Sequence, residues 1–208
     1  MDVRSPALFV ADAEGLDFLN SVATPVDTPV DWIDNGDGLL NWLEQARLLP
    51  PDIAESVRAQ ALPEELDRVA GQARALREWF RGFVRKHRGR PLAADAVSEL
   101  EPLNRLLERN EGFHRIAPRR DEGHEGLEFQ ALRKWRSPEA LLQPLAEAMG
   151  RFVCTEDFSN VKACEGASCT LVFADHTRGH RRRWCSMALC GNRAKQAAHR
   201  QRLKAEQP

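Results

Sequence analysis

The chain has 208 residues, of which 42% are hydrophobic and 29% are charged, so it can bury a core and is not disordered by composition. The sequence contains no run of about 18 apolar residues, so no transmembrane helix is predicted. The N-terminus lacks a secretory pattern, so we expect a cytoplasmic protein with no membrane partner. The formal net charge of −1, taken over the whole chain, argues against a nucleic-acid-binding protein.

The charge is unevenly distributed along the sequence. Residues 161–208 carry ten Lys or Arg and three Asp or Glu, a net charge of +7. Residues 1–160 carry 20 basic and 28 acidic residues, a net charge of −8. This asymmetry predicts a basic module joined to an acidic one, with domains at residues 1–158 and 159–208.

The first 160 residues carry mostly helical patterns. Apolar side chains recur at three- and four-residue steps from Glu64 to about His87, which predicts a long amphipathic helix. Shorter helices are predicted at residues 39–48, 52–61, 93–110 and 137–153. Pro102 predicts that the segment 93–110 is kinked or divided into two short helices.

Two short, partly alternating runs at residues 113–117 and 127–131 predict a β-hairpin with a Gly- and charge-rich linker. The predicted fold class is therefore mainly α (α+β): a helical N-terminal domain with a small hairpin or sheet. Its tryptophans suit either an aromatic ligand pocket or core packing, which is the more common role. They are Trp32, Trp42, Trp79 and Trp135.

Two Cys-x4-Cys pairs mark the basic segment: Cys164 with Cys169, and Cys185 with Cys190. Such pairs can place four thiolates at the corners of a tetrahedron, which is the arrangement of structural zinc. Thiolates on metal are favoured over disulfides because no export signal is present. Four cysteines leave no position for water or substrate, so the predicted Zn²⁺ is structural and not catalytic.

The residues around the cysteines predict the shape of this module. Gly166 permits a tight first loop, and the following TLVF begins a strand that residues 176–184 return as a hairpin. Ser186 caps a helix that carries Cys190 in its first turn. A knuckle, a hairpin and a ligand-bearing helix predict a small treble-clef-like zinc module.

A mixed ligand set of cysteines and histidines is the alternative. His176 and His180 are four residues apart, but they follow Cys169 too closely for a finger with two cysteines and two histidines. Cys154 lies outside the cluster and is expected to be a buried apolar residue at a helix end.

The basic side chains of the module are the candidate nucleic-acid contacts. Guanidinium groups match phosphate geometry, and a zinc scaffold would hold them on one surface. The alternatives are a solvated helix face or a surface that docks on the acidic part of the chain. The candidate residues are Arg181, Arg182, Arg183, Arg193, Lys195, Arg200 and Arg202.

The segment WCSMALCGNRAKQAAHR (184–200) resembles the CGNR zinc-finger family, whose namesake tetrapeptide is Cys190-Gly191-Asn192-Arg193 here. LDFLN (16–20) and LLNWLEQARLL (39–49) are similar to the ABATE domain that usually precedes this finger. The resemblance implies zinc at the four cysteines. It also implies a stress-linked bacterial transcription regulator that binds DNA.

The sequence contains no GxGxxG, Walker, HExxH or GxSxG motif, so we do not expect an enzyme. The predicted function is DNA binding through the zinc module, with an N-terminal domain that senses a small-molecule effector or dimerises. A homodimer is the default for regulators that read paired half-sites. The alternative is a zinc-stabilised protein-interaction module that docks an acidic partner without contacting nucleic acid.

Overall fold

The computed structural model describes residues 5–24, 27–119 and 126–205, with side chains up to residue 202. This part of the chain folds into seven α-helices and three separate two-stranded antiparallel sheets, which confirms the mainly α fold class. The helices are α1 (Glu14–Leu19), α2 (Gly36–Gln45), α3 (Pro51–Gln60), α4 (Pro63–His87), α5 (Glu101–Leu107), α6 (Leu142–Thr155) and α7 (Asn192–Ala205). The strands are β1 (Val22–Ala23), β2 (Val30–Asp31), β3 (Gly112–Pro118), β4 (Leu127–Arg133), β5 (Val161–Ala163) and β6 (Val172–Ala174).

The long helix α4 lies at the centre of the fold, as the hydrophobic period predicts. It begins with Pro63 in its first turn, and the Glu65 carboxylate accepts a hydrogen bond from the Leu62 amide at 3.1 Å. The helix ends at His87, because Arg88 has a non-helical ψ of 149°, and Gly89 follows with a positive φ of 83°. Its buried face packs against α1, α2 and α6.

Helices α1 and α6 pack at unusually close range. A Cβ atom on Gly15 would lie 2.8 Å from the Phe152 Cβ and 2.9 Å from the Ala148 carbonyl oxygen. Only glycine permits this approach of the two backbones, so Gly15 fixes where α1 lies on α6. Helix α1 also contacts strand β6 of the zinc module.

The shorter predicted helices are present, and residues 93–110 are divided into two short helical segments, one of the two outcomes that Pro102 predicts. Residues 93–110 form a 3₁₀ turn (Ala94–Leu100) followed by α5, with Pro102 in the first turn, where its missing amide is not needed. The segment after Ser137 begins as a 3₁₀ turn (Pro138–Leu141) before it continues as α6.

The tryptophans take part in packing. Trp32 and Trp42 are buried in the core, and Trp79 and Trp135 are partly buried against it. Trp42 makes an edge-on contact with Phe18 at a centroid distance of 5.9 Å. Core packing, the more common role, is what the structure shows for Trp32 and Trp42.

The predicted hairpin forms between β3 and β4, in a register that pairs Ile116 with Phe129. It is largely exposed: Ile116 is 66% and Phe129 is 72% accessible to solvent. Most of the linker between the two strands lies outside the described residues.

The hairpin of the basic segment differs from the prediction. Strand β6 pairs with β5, which precedes the first cysteine pair, in the register Val161 with Ala174 and Ala163 with Val172. The arginine-rich run at 181–183 forms no strand. The predicted return strand is wrong because the edge of β6 that it would cover is occupied by α1 and the segment before it.

Strand β6 is covered by the N-terminal part of the chain. The Asn20 side chain accepts a hydrogen bond from the Val172 amide at 3.0 Å and donates one to the Val172 carbonyl at 2.8 Å. The Ala174 amide donates to the Ala11 carbonyl at 2.9 Å. Leu171 and Phe173 are fully buried in the same core as the N-terminal helices.

Within the described ranges, no helix is both long enough and apolar enough to cross a bilayer.

Candidate metal centre and basic surface

The four cysteines of the basic segment converge from two short loops. Cys164 and Cys169 lie in the loop that joins β5 to β6. Cys185 precedes a π-helical turn (Met187–Gly191), and Cys190 lies within that turn just before α7. The hydroxyl of Ser186 accepts a hydrogen bond from the Leu189 amide at 3.0 Å, which confirms the predicted cap.

The sulfur atoms form one compact cluster. All four Sγ atoms lie within 4.8 Å of one another. The Cys169–Cys185 and Cys185–Cys190 distances are 3.9 and 3.6 Å. Tetrahedral zinc with Zn–S bonds of about 2.3 Å requires sulfur atoms ~3.8 Å apart. The cluster therefore has the dimensions of a four-cysteine zinc site.

Gly166 is required by this geometry. A Cβ atom at this position would lie 3.0 Å from the Cys169 Cβ and 3.0 Å from the Cys190 Sγ. Any larger residue would push the two loops apart. The close approach of the loops, rather than a left-handed backbone, explains the glycine that the sequence places between Cys164 and Cys169.

The thiols of the cluster influence each other's ionisation. The hydrogen bond from the Cys185 thiol lowers the pKa of Cys169 to about 5, and the same interaction raises the pKa of Cys185. Burial raises the pKa of Cys190. Several adjacent thiolates repel one another, so full ionisation of this cluster requires a bound cation. The donor set and its spacing both fit Zn²⁺.

Hydrogen bonds around the cluster support negative charge on sulfur. The Cys164 Sγ accepts from the amides of Cys185 at 3.2 Å and Gly166 at 3.4 Å. The Arg193 guanidinium donates to the Cys190 Sγ at 3.3 Å and to the Leu189 carbonyl at 2.6 Å. The arginine of the CGNR tetrapeptide thus supports a metal ligand directly.

The two histidines of the alternative ligand set have other partners. His176 forms an ion pair with Glu156 at 2.8 Å, and this hydrogen bond raises the pKa of His176. The His180 ring donates to the Asp175 carbonyl at 2.7 Å. Cys154 lies at the end of α6 as predicted, but it is exposed and not buried. The prediction of burial is wrong because Cys154 falls on the solvent side of α6.

Arg182 connects the zinc module to the start of the chain. Its guanidinium donates to the Val10 carbonyl at 2.7 Å, to the Cys185 carbonyl, and to Asp12 at 2.5 Å. The same group lies 4.2 Å from the ring centroid of Phe173. These contacts occupy most donors of the guanidinium, so Arg182, like Arg193, is engaged inside the module.

Asp175 holds the backbone beside Arg182. This fully buried carboxylate accepts hydrogen bonds from Lys162 at 2.7 Å, from the Thr177 hydroxyl at 2.6 Å and from the Arg182 amide at 2.9 Å. Burial by itself raises the pKa of Asp175, but these donors outweigh burial and hold it well below its usual range.

The remaining candidates lie on the surface of the module. Arg183 forms an ion pair with Glu165 at 2.6 Å. Among the described residues, none offers an ion pair or a side-chain hydrogen bond to the other exposed candidates, which are Arg181, Lys195, Arg200 and Arg202. The last three lie on α7, where Lys195 and Arg202 share one face and Arg200 lies on another.

Comparisons with known protein families assign both parts of the chain. Residues 13–156 match the model of the ABATE family, described as "Putative stress-induced transcription regulator". The chain belongs to the ABATE family. Residues 160–203 match the CGNR zinc finger. A search of the curated proteins found no match.

The family assignment and the cysteine cluster agree on the cofactor. The four cysteines of the CGNR finger are the ligands that fit a structural Zn²⁺. The metal would supply a large share of the folding free energy of the finger, on the order of 10 kcal/mol. Both matched families are of regulator and zinc-finger type.

Proposed function

We propose that this ABATE protein is a DNA-binding transcription regulator whose CGNR finger contacts DNA through α7. The observation that carries the proposal is the exposed basic surface of that helix. Lys195, Arg200 and Arg202 face solvent and have no partner among the described residues. Cationic side chains held on a rigid helix are suited to phosphate contacts.

The position of α7 supports this role. Its main contact is with the π-helical turn that holds Cys190, so the zinc site fixes the start of the helix while most of its surface remains free. Arg181 and Arg183 would extend the basic surface from the loop before Cys185. In this proposal Arg182 and Arg193 position the module and do not contact DNA, because their guanidinium groups bind backbone carbonyls.

The N-terminal ABATE part completes the proposed regulator. In this proposal it senses a small-molecule effector or brings two chains together as a homodimer, and the finger reads DNA. Such a regulator would work in the cytoplasm, where reducing conditions keep the cysteine thiolates available for zinc.

The test is DNA binding measured over a series of salt concentrations with zinc-loaded protein and short duplexes of mixed sequence. We expect the triple variant Lys195→Gln, Arg200→Gln, Arg202→Gln to bind more weakly than the wild type. Each lost phosphate contact should flatten the slope of log affinity against log salt by about 0.9. The matched control removes three exposed positive charges elsewhere, with Arg47→Gln, Arg115→Gln and Arg119→Gln.

The outcomes separate the two function classes. Salt-dependent binding that falls in the α7 variant and not in the control supports DNA binding. Wild-type protein that binds polyglutamate but not DNA would instead support a module for an acidic protein partner. Absence of any DNA binding at low salt overturns the proposal.

A further inference from the structure

A cleft of about 480 Å³ lies between the ABATE helices and the zinc finger. One wall comes from α1, β1 and α4, and the other comes from the β5–β6 hairpin. The surface of the cleft is mainly apolar, with Leu19, Val22, Val84, Ala163 and Val172 among its lining residues. It is the junction of the two matched families, so anything bound there touches both.

Three arginines line this cleft: two on α4 and one directly after its end. Arg81 and Arg85 are four residues apart, so they share one side of α4, and Arg88 follows the last helical residue, His87. Arg81 is engaged, since it donates to the Leu19 carbonyl at 2.6 Å and to Glu78 at 3.0 Å. Arg85 and Arg88 have no hydrogen-bond or ion-pair partner among the described residues.

The opposite wall of the cleft includes part of the metal centre. Cys169 lines the cleft and is the only partly exposed member of the four-cysteine cluster, whose other three members are buried. Thr170 follows it, and its hydroxyl accepts a hydrogen bond from the Thr24 amide at 2.9 Å. The zinc loop is therefore attached to the N-terminal part at the edge of the cleft.

We propose that this cleft binds a small organic anion with an apolar body. Guanidinium groups bind carboxylates and sulfonates in a bidentate manner, and Arg85 and Arg88 supply two such groups at the edge of an apolar surface. The volume lies within the roughly 300–1,000 Å³ that small-molecule sites occupy. A bare inorganic anion would leave the apolar walls unused, and a cation would be repelled by the arginines.

This inference rests on the sensing part of the proposed function, to which it gives a location and a ligand class. A ligand in the cleft contacts α4 on one side and the Cys169–Thr170 loop on the other. Its binding free energy therefore depends on how the finger lies against the ABATE helices. By linkage, the ligand stabilises the arrangement to which it binds, and the loss of zinc to a chelator should become slower.

The experiment uses 8-anilinonaphthalene-1-sulfonate, an apolar anion whose fluorescence rises on binding, with full-length zinc-loaded protein. We expect saturable binding to the wild type and at least about tenfold weaker binding to the double variant Arg85→Gln, Arg88→Gln, since two charge-assisted contacts are lost. The double variant Arg47→Gln, Arg119→Gln removes the same charge elsewhere and should bind as the wild type does. The uncharged analogue N-phenyl-1-naphthylamine should not distinguish the variants.

Two further measurements check that the variant is folded and that binding requires the negative charge of the ligand. Zinc content and thermal unfolding of the Arg85/Arg88 variant should match the wild type, because neither side chain has a hydrogen-bond or ion-pair partner to lose within the described part of the chain. Octanoate should displace the dye from the wild type, whereas octanol should not.

Equal dye affinity of the wild type and the Arg85/Arg88 variant overturns the inference, and so does equal displacement by octanol and octanoate. The salt series with DNA judges the proposed function separately. A protein that binds the dye in this cleft but does not bind DNA retains the site and loses the proposed regulator role.

Discussion

Arg182 is the middle residue of three consecutive arginines, a pattern that predicts a basic patch. Its guanidinium is bound to the carbonyls of Val10 and Cys185 and lies over the ring of Phe173. Its neighbour Arg181 is exposed and has no partner among the described residues. Arg182 therefore contributes to packing, whereas Arg181 contributes to the surface charge.

Replacing Arg182 should test this difference. We expect Arg182→Ala to lower the free energy of unfolding by about 2–4 kcal/mol, since buried carbonyls lose their donor and Phe173 loses its cation contact. The matched variant Arg181→Ala should change stability by less than about 0.5 kcal/mol. Urea unfolding of zinc-loaded protein measures both, and equal stability of the two variants would contradict the structural role of Arg182.

At the scale of elements, the β5–β6 hairpin depends on the N-terminal part of the chain. A two-stranded hairpin is only marginally stable alone, and the free edge of a strand exposes unpaired backbone groups. Here the free edge of β6 is covered by the Asn20 amide and the Ala11 carbonyl. Zinc holds the other end of the hairpin, so two independent attachments fix it.

Substitution of Asn20 should loosen this attachment. Asn20→Ala removes both hydrogen bonds to Val172 in a buried position, and we expect a loss of about 2–4 kcal/mol in unfolding free energy. Amide hydrogen exchange of Val172 should become faster in the same variant. The control is Asn104→Ala, on the exposed side of α5, which should leave both quantities unchanged.

At the scale of the whole molecule, one hydrophobic core runs from the ABATE helices into the zinc finger. Leu16, Phe158 and Phe173 belong to the same buried cluster as Cys164 and Cys190. The predicted domain limits at 158 and 159 separate the two matched families, but the buried contacts cross that line. The finger and the helices should therefore respond together when zinc is removed.

Removal of zinc should show this coupling. With a chelator, we expect the helical circular dichroism and the tryptophan fluorescence to change in one coincident unfolding transition at a lower temperature than in zinc-loaded protein. Cys190→Ser should reproduce the effect without a chelator, while Cys154→Ser, outside the cluster, should retain zinc. Unchanged helical stability after zinc loss would instead indicate two independent domains.

Sequence patterns were reliable where the deciding interactions are local. The period of α4, the division of residues 93–110 near Pro102 and the Ser186 cap depend on neighbouring residues, and each appears in the structure. The spacing of the cysteines similarly restricts how four sulfur atoms can meet. The spacing of Arg81, Arg85 and Arg88 was also visible in the sequence, but nothing in the sequence indicates an apolar cleft beside them.

The sequence by itself determined the mainly helical fold class, the four-cysteine metal centre and the basic character of the finger, because periodicity, ligand spacing and charge are properties of the chain. Only the tertiary structure decided the partner of β6, the exposure of Cys154 and which arginines bind groups of the protein itself. The exposure of Cys154 depends on which side of α6 packs against the core. The other two outcomes depend on which distant backbone groups need a hydrogen-bond partner after packing. The carbonyls of Val10 and Ala11 lie more than 160 residues before the groups that bind them.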